Sequence, residues 1–216
     1  MTNLRKLTPR QEDRRQRILA SARELVADQG YDGMVMIQVA ERAGVSPTTL
    51  YNLYNTKDQL VLEALRELLA DNVVRVSAES DGPGWKYLIK MVQNGAWMAR
   101  TAPAYAEAIT AAMLRAGSGD ALIEVLLANT KQEILNSLLR MRDKGQLDPR
   151  VDTDQLATSL LGLYWSSFLL WNKGLVHLQE FEHTLQINFI GLLLPATQGD
   201  ARAGLDALYQ ELLDQS

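Results

Sequence analysis

Apolar residues recur along this chain at i, i+3, i+4 and i+7, and no segment alternates apolar and polar between turn residues as a half-buried strand does. The pattern predicts an all-α fold. The first helix opens at Thr8-Pro9-Arg10-Gln11, where Thr caps, Pro fits the first helical position and Gln completes a capping box. Its buried face is Ile18, Leu19, Ala22, Leu25 and Val26, and Gly30 is placed to end it in a left-handed conformation. A short helix over 36–43 follows, then a corner at Gly44-Val45-Ser46, then a third helix starting at Pro47 behind a Ser46 cap. Thr56 and Gln59 form a second capping box, opening a longer helix with Leu60, Val61, Ala64, Leu65, Leu68 and Leu69 on one face.

Beyond the linker Glu79-Ser80-Asp81-Gly82-Pro83-Gly84, helices are predicted over 85–101, 103–115, 119–143, 153–173, 178–194 and 200–213, separated by Gly and Pro breaks. Asp152 caps the helix that carries the uncharged stretch 155–172, with Gln155 in the capping-box position. That stretch is borderline in length for a membrane span, and Thr158, Ser159, Gly162, Ser166 and Ser167 interrupt it, so it reads as a buried helix and no membrane partner is expected. The organisation expected is a helix-turn-helix head over 1–57, a connecting helix over 58–80, and a larger helical domain over 81–216.

Charge sharpens this division. Residues 1–57 hold nine Lys/Arg against six Asp/Glu, or +3, whereas the rest holds thirteen against twenty, or −7. A basic head on an acidic body suits a polyanion met by one end only, although an ordinary solvated surface would look similar. Cysteine is absent, which excludes disulfides, thiolate zinc sites and cysteine nucleophiles. Met1 to Arg17 is polar and basic with no apolar run and does not read as a secretory signal, so a cytoplasmic location is expected.

The informative stretch runs from Val39 to Leu60. Ala40 lets two helices approach, Gly44 permits the corner, and Val45 and Leu50 plug the small core between them. Pro47, Thr48, Thr49, Tyr51 and Asn52 are left as a short polar and aromatic surface of a size that fits a major groove. Through Ala40, Gly44-Val45-Ser46, Thr49-Leu50-Tyr51, Tyr54 and Lys57, together with Arg17-Ile18-Leu19, Ala22, Leu25 and Gly30, residues 14–65 resemble the tetracycline-repressor (TetR) family of transcription regulators. Two positions depart from the family pattern. Val35 stands where a Thr commonly caps, a loss of about 1 kcal/mol, and Thr48 stands where Gly is common.

The resemblance implies roles that the side-chain chemistry can support. Lys57, at the start of the fourth helix, would pair with a phosphate. Tyr51 and Thr49 would donate hydroxyls to phosphates or bases, while Pro47, Thr48 and Asn52 would face base edges. Tyr54 is expected to pack against the first helix. Arg14, with Arg5, Lys6, Arg10 and Arg15, would either contact the DNA backbone or form a solvated tail.

For the body the resemblance implies an effector-binding domain that forms a homodimer through the helices at 153–173 and 178–194, so that two heads read half-sites of a palindromic double-stranded operator. Ala157, Ser159, Gly162 and Ser166 would allow close helix approach, and the surface around Leu160, Phe189, Leu192 and Leu193 is expected to need a partner's cover. Trp97, Met98, Tyr105, Met113, Tyr164, Trp165, Phe168 and Trp171 are candidate liners of a pocket for a small, largely apolar effector, though the same residues also suit an ordinary core. Asn94, Arg100, Thr110 and Asn172 are candidate polar contacts.

The reading is thus a repressor released by its effector. The alternatives are a DNA-binding protein whose body docks a protein partner and, more remotely, a helical-bundle enzyme. Against the last, Glu180-x-x-His183 has di-iron spacing but no second such pair, and phosphate loops and nucleophile elbows are missing, so no catalytic residue, metal or cofactor is expected.

Overall fold

A computed structural model describes residues 8–215 apart from 65, 68–75, 77–79, 81 and 116–120. Leu65, Leu68 and Leu69 of the predicted fourth-helix face, and the basic Arg5 and Lys6, lie outside the described residues. Among the described residues the regular structure is helical, with one isolated antiparallel bridge, Leu147 to Thr197. No helix among them is long and apolar enough to cross a membrane.

The chain divides into two units, Met1–Leu68 with Ala102–Ala116, and Leu69–Thr101 with Gly117–Ser216. The first contains α1 (Pro9–Gly33), α2 (Met36–Ala43), α3 (Pro47–Leu53), the start of α4 (helical over 57–64 and at 66 and 67) and α6 (Pro103–Arg115). The Thr8 capping box forms in both directions, and Ile18, Leu19, Ala22, Leu25 and Val26 are buried as expected. Gly30, at φ 72° and ψ 171°, breaks α1 where predicted, after which one further helical turn reaches Gly33. Thr56 Oγ1 accepts from Gln59 N at 3.1 Å, but the Gln59 side chain reaches one residue further back than expected, accepting from Asn55 N at 3.1 Å.

The placement of α6 corrects the expected boundaries. It packs along α1, with Tyr105, Ala106, Ile109 and Thr110 buried, and the Tyr105 hydroxyl donates to Val61 O of α4 at 3.4 Å. Residues 102–116 therefore complete the core of the head, and the body is not continuous from 81 onward. An apolar helical face carries no label saying which neighbour covers it.

The second unit contains α5 (Trp85–Thr101), α7 (Ala121–Asp143), α8 (Thr153–Asn172), α9 (Leu178–Leu193) and α10 (Gly199–Asp214), with a 3₁₀ turn, Leu194–Ala196, between the last two. Helices α5 and α9, α7 and α8, and α8 and α9 pack in pairs. Asp152 caps α8 by accepting from Asp154 N at 2.9 Å and Gln155 N at 3.1 Å. His183 Nε2 lies 2.8 Å from Leu212 O, tying α9 to α10 through a hydrogen bond. Among the described residues no His, Asp and Glu cluster is arranged to hold a metal.

Candidate functional site

The corner of the head is built by three local devices. Gly44 ends α2 at φ 66°, and a Cβ there would stand 3.2 Å from Arg17 Nη1, whose guanidinium donates to Ala43 O at 2.6 Å. Ser46 Oγ then accepts from Thr49 N at 3.1 Å, opening α3 with Pro47 in its first turn. Leu50, fully buried, anchors the inner face of α3. The outer face is what remains: Pro47, Thr48, Tyr51 and Asn52 are exposed, and no side chain of α3 is charged.

Most of the other predicted contact residues are already engaged. Thr49 is half-buried, with its hydroxyl 2.9 Å from Ser46 Oγ, so its polar atom belongs first to the cap. Lys57 Nζ donates to Asp32 O at 3.4 Å and lies 4.3 Å from the centre of the Tyr31 ring. Arg14 is half-buried, with Nε shielded from solvent and unpartnered. Arg15 belongs to an internal network, donating to Glu63 and Glu67 at 2.8 Å each, with Arg23 also on Glu67 at 3.1 Å. Burial alone would lower the Arg15 pKa, but these carboxylates outweigh it and raise the pKa further above its ordinary value. Arg15 thus holds α1 to α4 and is not a spare cation for a phosphate. Tyr54 is buried as expected, and loss of hydration pushes its hydroxyl up to about 12.

Three apolar side chains near this corner are exposed, Val35 at 49%, Ile37 at 53% and Leu53 at 48%, and of these only Val35 was singled out from sequence, as a cap position. The signal was present for Ile37, which falls off the buried face of α2 formed by Met36, Val39, Ala40 and Ala43. Val35 makes no side-chain cap, as its departure from the family pattern predicts.

These features match the model of bacterial regulatory proteins of the tetR family over residues 18–64. Residues 18–64 are thus similar to the tetR family of bacterial regulators. Two curated relatives are similar over less than a third of the chain. The transcriptional activator FasR of Mycolicibacterium smegmatis (strain ATCC 700084 / mc(2)155) is 41% identical over 63 residues, 29% of this chain and 28% of that protein. The uncharacterized regulator YdeS of Bacillus subtilis (strain 168) is 29% identical over 65 residues, 30% of this chain and 33% of that one. The chain thus spans no more than a third of the length of those relatives. In fold it is similar to FadR of Bacillus subtilis in complex with stearoyl-CoA (TM-score 0.64, 15% identity, 79% of this chain and 94% of that one). It is also similar to Thermus thermophilus FadR in complex with lauroyl-CoA (TM-score 0.65, 20% identity, 82% and 93%).

The body separates the candidate effector residues into three places. Tyr164, Trp165, Phe168 and Trp171 of α8 join Phe181 of α9, which was not anticipated, in a chain of ring contacts with centroids 5.0–5.7 Å apart. These rings are in contact with one another, Met98 is buried on α5, and Trp165 Nε1 is shielded without a hydrogen-bond partner. Trp97, 46% exposed, stands apart in an open groove of about 390 Å³ lined by Val76, Lys90, Gln93, Asn94, Arg100 and Glu182, with Arg100 paired to Glu182 at 2.8 Å. Tyr105 and Met113 lie on α6 in the first unit, and the Thr110 hydroxyl is spent on Ala106 O at 2.9 Å.

The expected apolar dimer surface also needs correction. Leu160, Phe189, Leu193 and Ala157 are fully buried within the protomer, and only Leu192 of that set stays exposed. Beyond the first turns of α8, where Asp154, Gln155 and Thr158 are exposed, the helix leaves Ser159, Gly162, Ser166 and Leu170 exposed, spaced three or four residues apart along one face.

Proposed function

We propose that this chain is a DNA-binding transcriptional regulator, acting as a homodimer on a palindromic operator and released from it, as a repressor, by a small and largely apolar effector. The observation that carries the reading is the reading helix itself: α3, capped by Ser46 and anchored by Leu50, presents an uncharged polar face within a head that matches a family of bacterial regulators. Pro47, Thr48, Asn52 and Tyr51 are proposed to meet the major groove, with Asn52 suited to adenine. Lys57 and Arg14 are proposed as phosphate contacts, Lys57 in exchange for its bond to Asp32 O.

The acyl-CoA ligands of the two FadR structures support an effector with a long apolar part, and the largely buried aromatic chain of α8 and α9 is the part of the body whose chemistry suits it. The exposed stripe Ser159, Gly162, Ser166 and Leu170 supports a partner helix at α8, because a Cβ at Gly162 would meet open space within the protomer.

Fluorescence anisotropy of the purified protein on DNA flanking its own gene, against scrambled DNA and across a salt titration, tests the reading. Two protomers per site and a negative salt slope are expected. Addition of long-chain acyl-CoA is expected to weaken binding, which requires differential affinity for the two states. Failure on random-sequence selection as well as on the flanking DNA overturns the DNA-binding reading.

A further inference from the structure

The charges of the head are largely turned to structural use. Arg15, Arg17, Arg23, Arg42 and Arg66 are all paired with carboxylates. The helix placed to read DNA has no charge, and the first turn of α2, which packs on it, carries Ile37 at 53% exposure. An Ile held in water forfeits the free energy of burial, and Ile37 is on the face of α2 turned away from the core of the head. In a helix-turn-helix the helix before the reading helix crosses the DNA backbone, which brings its first turn to the rim of the groove that the reading helix enters. The one apolar group that a base pair presents in the major groove is the thymine 5-methyl.

We infer that this head selects its DNA chiefly by thymine methyl groups, with Ile37 of α2 joining Pro47 and the methyl of Thr48 as the contacts. The inference rests on the DNA-binding reading and deepens it. Ile37 is a specificity-determining residue that stabilises nothing in the free protein. Discrimination comes from apolar burial at T·A pairs, not from arginine forks on guanine, for which α3 has no side chain.

The test is made on the duplex that the full-length protein itself selects from a random pool. Each thymine is replaced in turn by deoxyuridine, which removes only the methyl. The expected result is a loss of about fourfold in affinity per contacted methyl, the equivalent of one methyl buried. The salt slope should stay unchanged, because no phosphate contact is altered. In Ile37→Ala the loss at one thymine of each half-site should vanish while the losses at other thymines persist. Thr48→Ser should silence a different one. Both positions are exposed, and an unchanged melting temperature checks that the variants fold. Equal affinity for thymine and deoxyuridine at every position overturns the inference, as does an Ile37→Ala variant with the wild-type pattern of losses. If the protein selects no sequence at all, the DNA-binding reading itself fails, an outcome distinct from either.

Discussion

Single contacts decide how tightly the body is specified. Gly95 lies mid-helix in α5, and a Cβ there would stand 2.3 Å from Tyr164 Oη and 3.0 Å from its Cζ. Tyr164 is buried, and desolvation pushes its hydroxyl pKa well above the ordinary tyrosine value. Two opposed effects follow from Gly95→Ala. A helix gains about 0.5–1 kcal/mol when Ala replaces Gly, and overpacking a filled core costs about 1–3 kcal/mol. The overlap is with the rigid end of a buried ring, so overpacking wins. Gly95→Ala should lower the denaturant midpoint, and Tyr164→Phe in the same background should restore part of it by removing the closest atom. Tyr164 was legible in the sequence as an apolar-pocket candidate, but nothing there showed that its hydroxyl presses on a glycine 69 positions away.

Between elements, the contact of α1 with α4 depends on charges that the sequence assigned to solvent or DNA. Glu63 is half-buried. Burial alone would raise its pKa, but hydrogen bonds from Arg66 and Arg15 outweigh that and hold it below the ordinary 4.5. A carboxylate depressed in this way contributes stability that is fully present above about pH 4.5 and is lost as pH falls through the lower, folded-state value. Glu63→Gln should therefore cost about 1–2 kcal/mol at neutral pH, the range of about 1.5–3 kcal/mol for hydrogen bonds to charged groups reduced by solvent screening at this half-buried site. Thermal unfolding followed from pH 7 downward should show the variant and wild-type curves converging in acid. Curves that stay parallel would mean that the charge of Glu63 is not what stabilises the contact. Capping signals, by contrast, were local enough to read: Thr8, Ser46, Thr56 and Asp152 all cap as expected, because each bond spans no more than three residues.

On the scale of the whole molecule, the largest departure is α6. It follows α5 in sequence yet joins the head, where Tyr105 and Ile109 are almost fully buried. Each such side chain is worth about 1.5–3 kcal/mol when buried, and a 60-residue domain is marginal to begin with. A fragment ending at residue 68 should therefore unfold without a cooperative transition by near-ultraviolet circular dichroism. A sharp transition near that of the full chain would show that the head does not need α6.

Sequence alone determined the elements and the corner of this protein: helix periods, caps, breaks and the residues turned outward on α3. All are set by neighbours within a turn or two, where backbone hydrogen bonding and side-chain direction follow directly from residue order. Tertiary structure decided which neighbour covers each apolar face and which partner holds each charge. Ala157, Leu160 and Phe189 went inward, Arg15 became a strut, Trp97 came to an open groove, and Ile37 was left in water on α2. Apolar burial and ion pairing act through proximity in space, and residue order leaves that proximity open until the chain has packed.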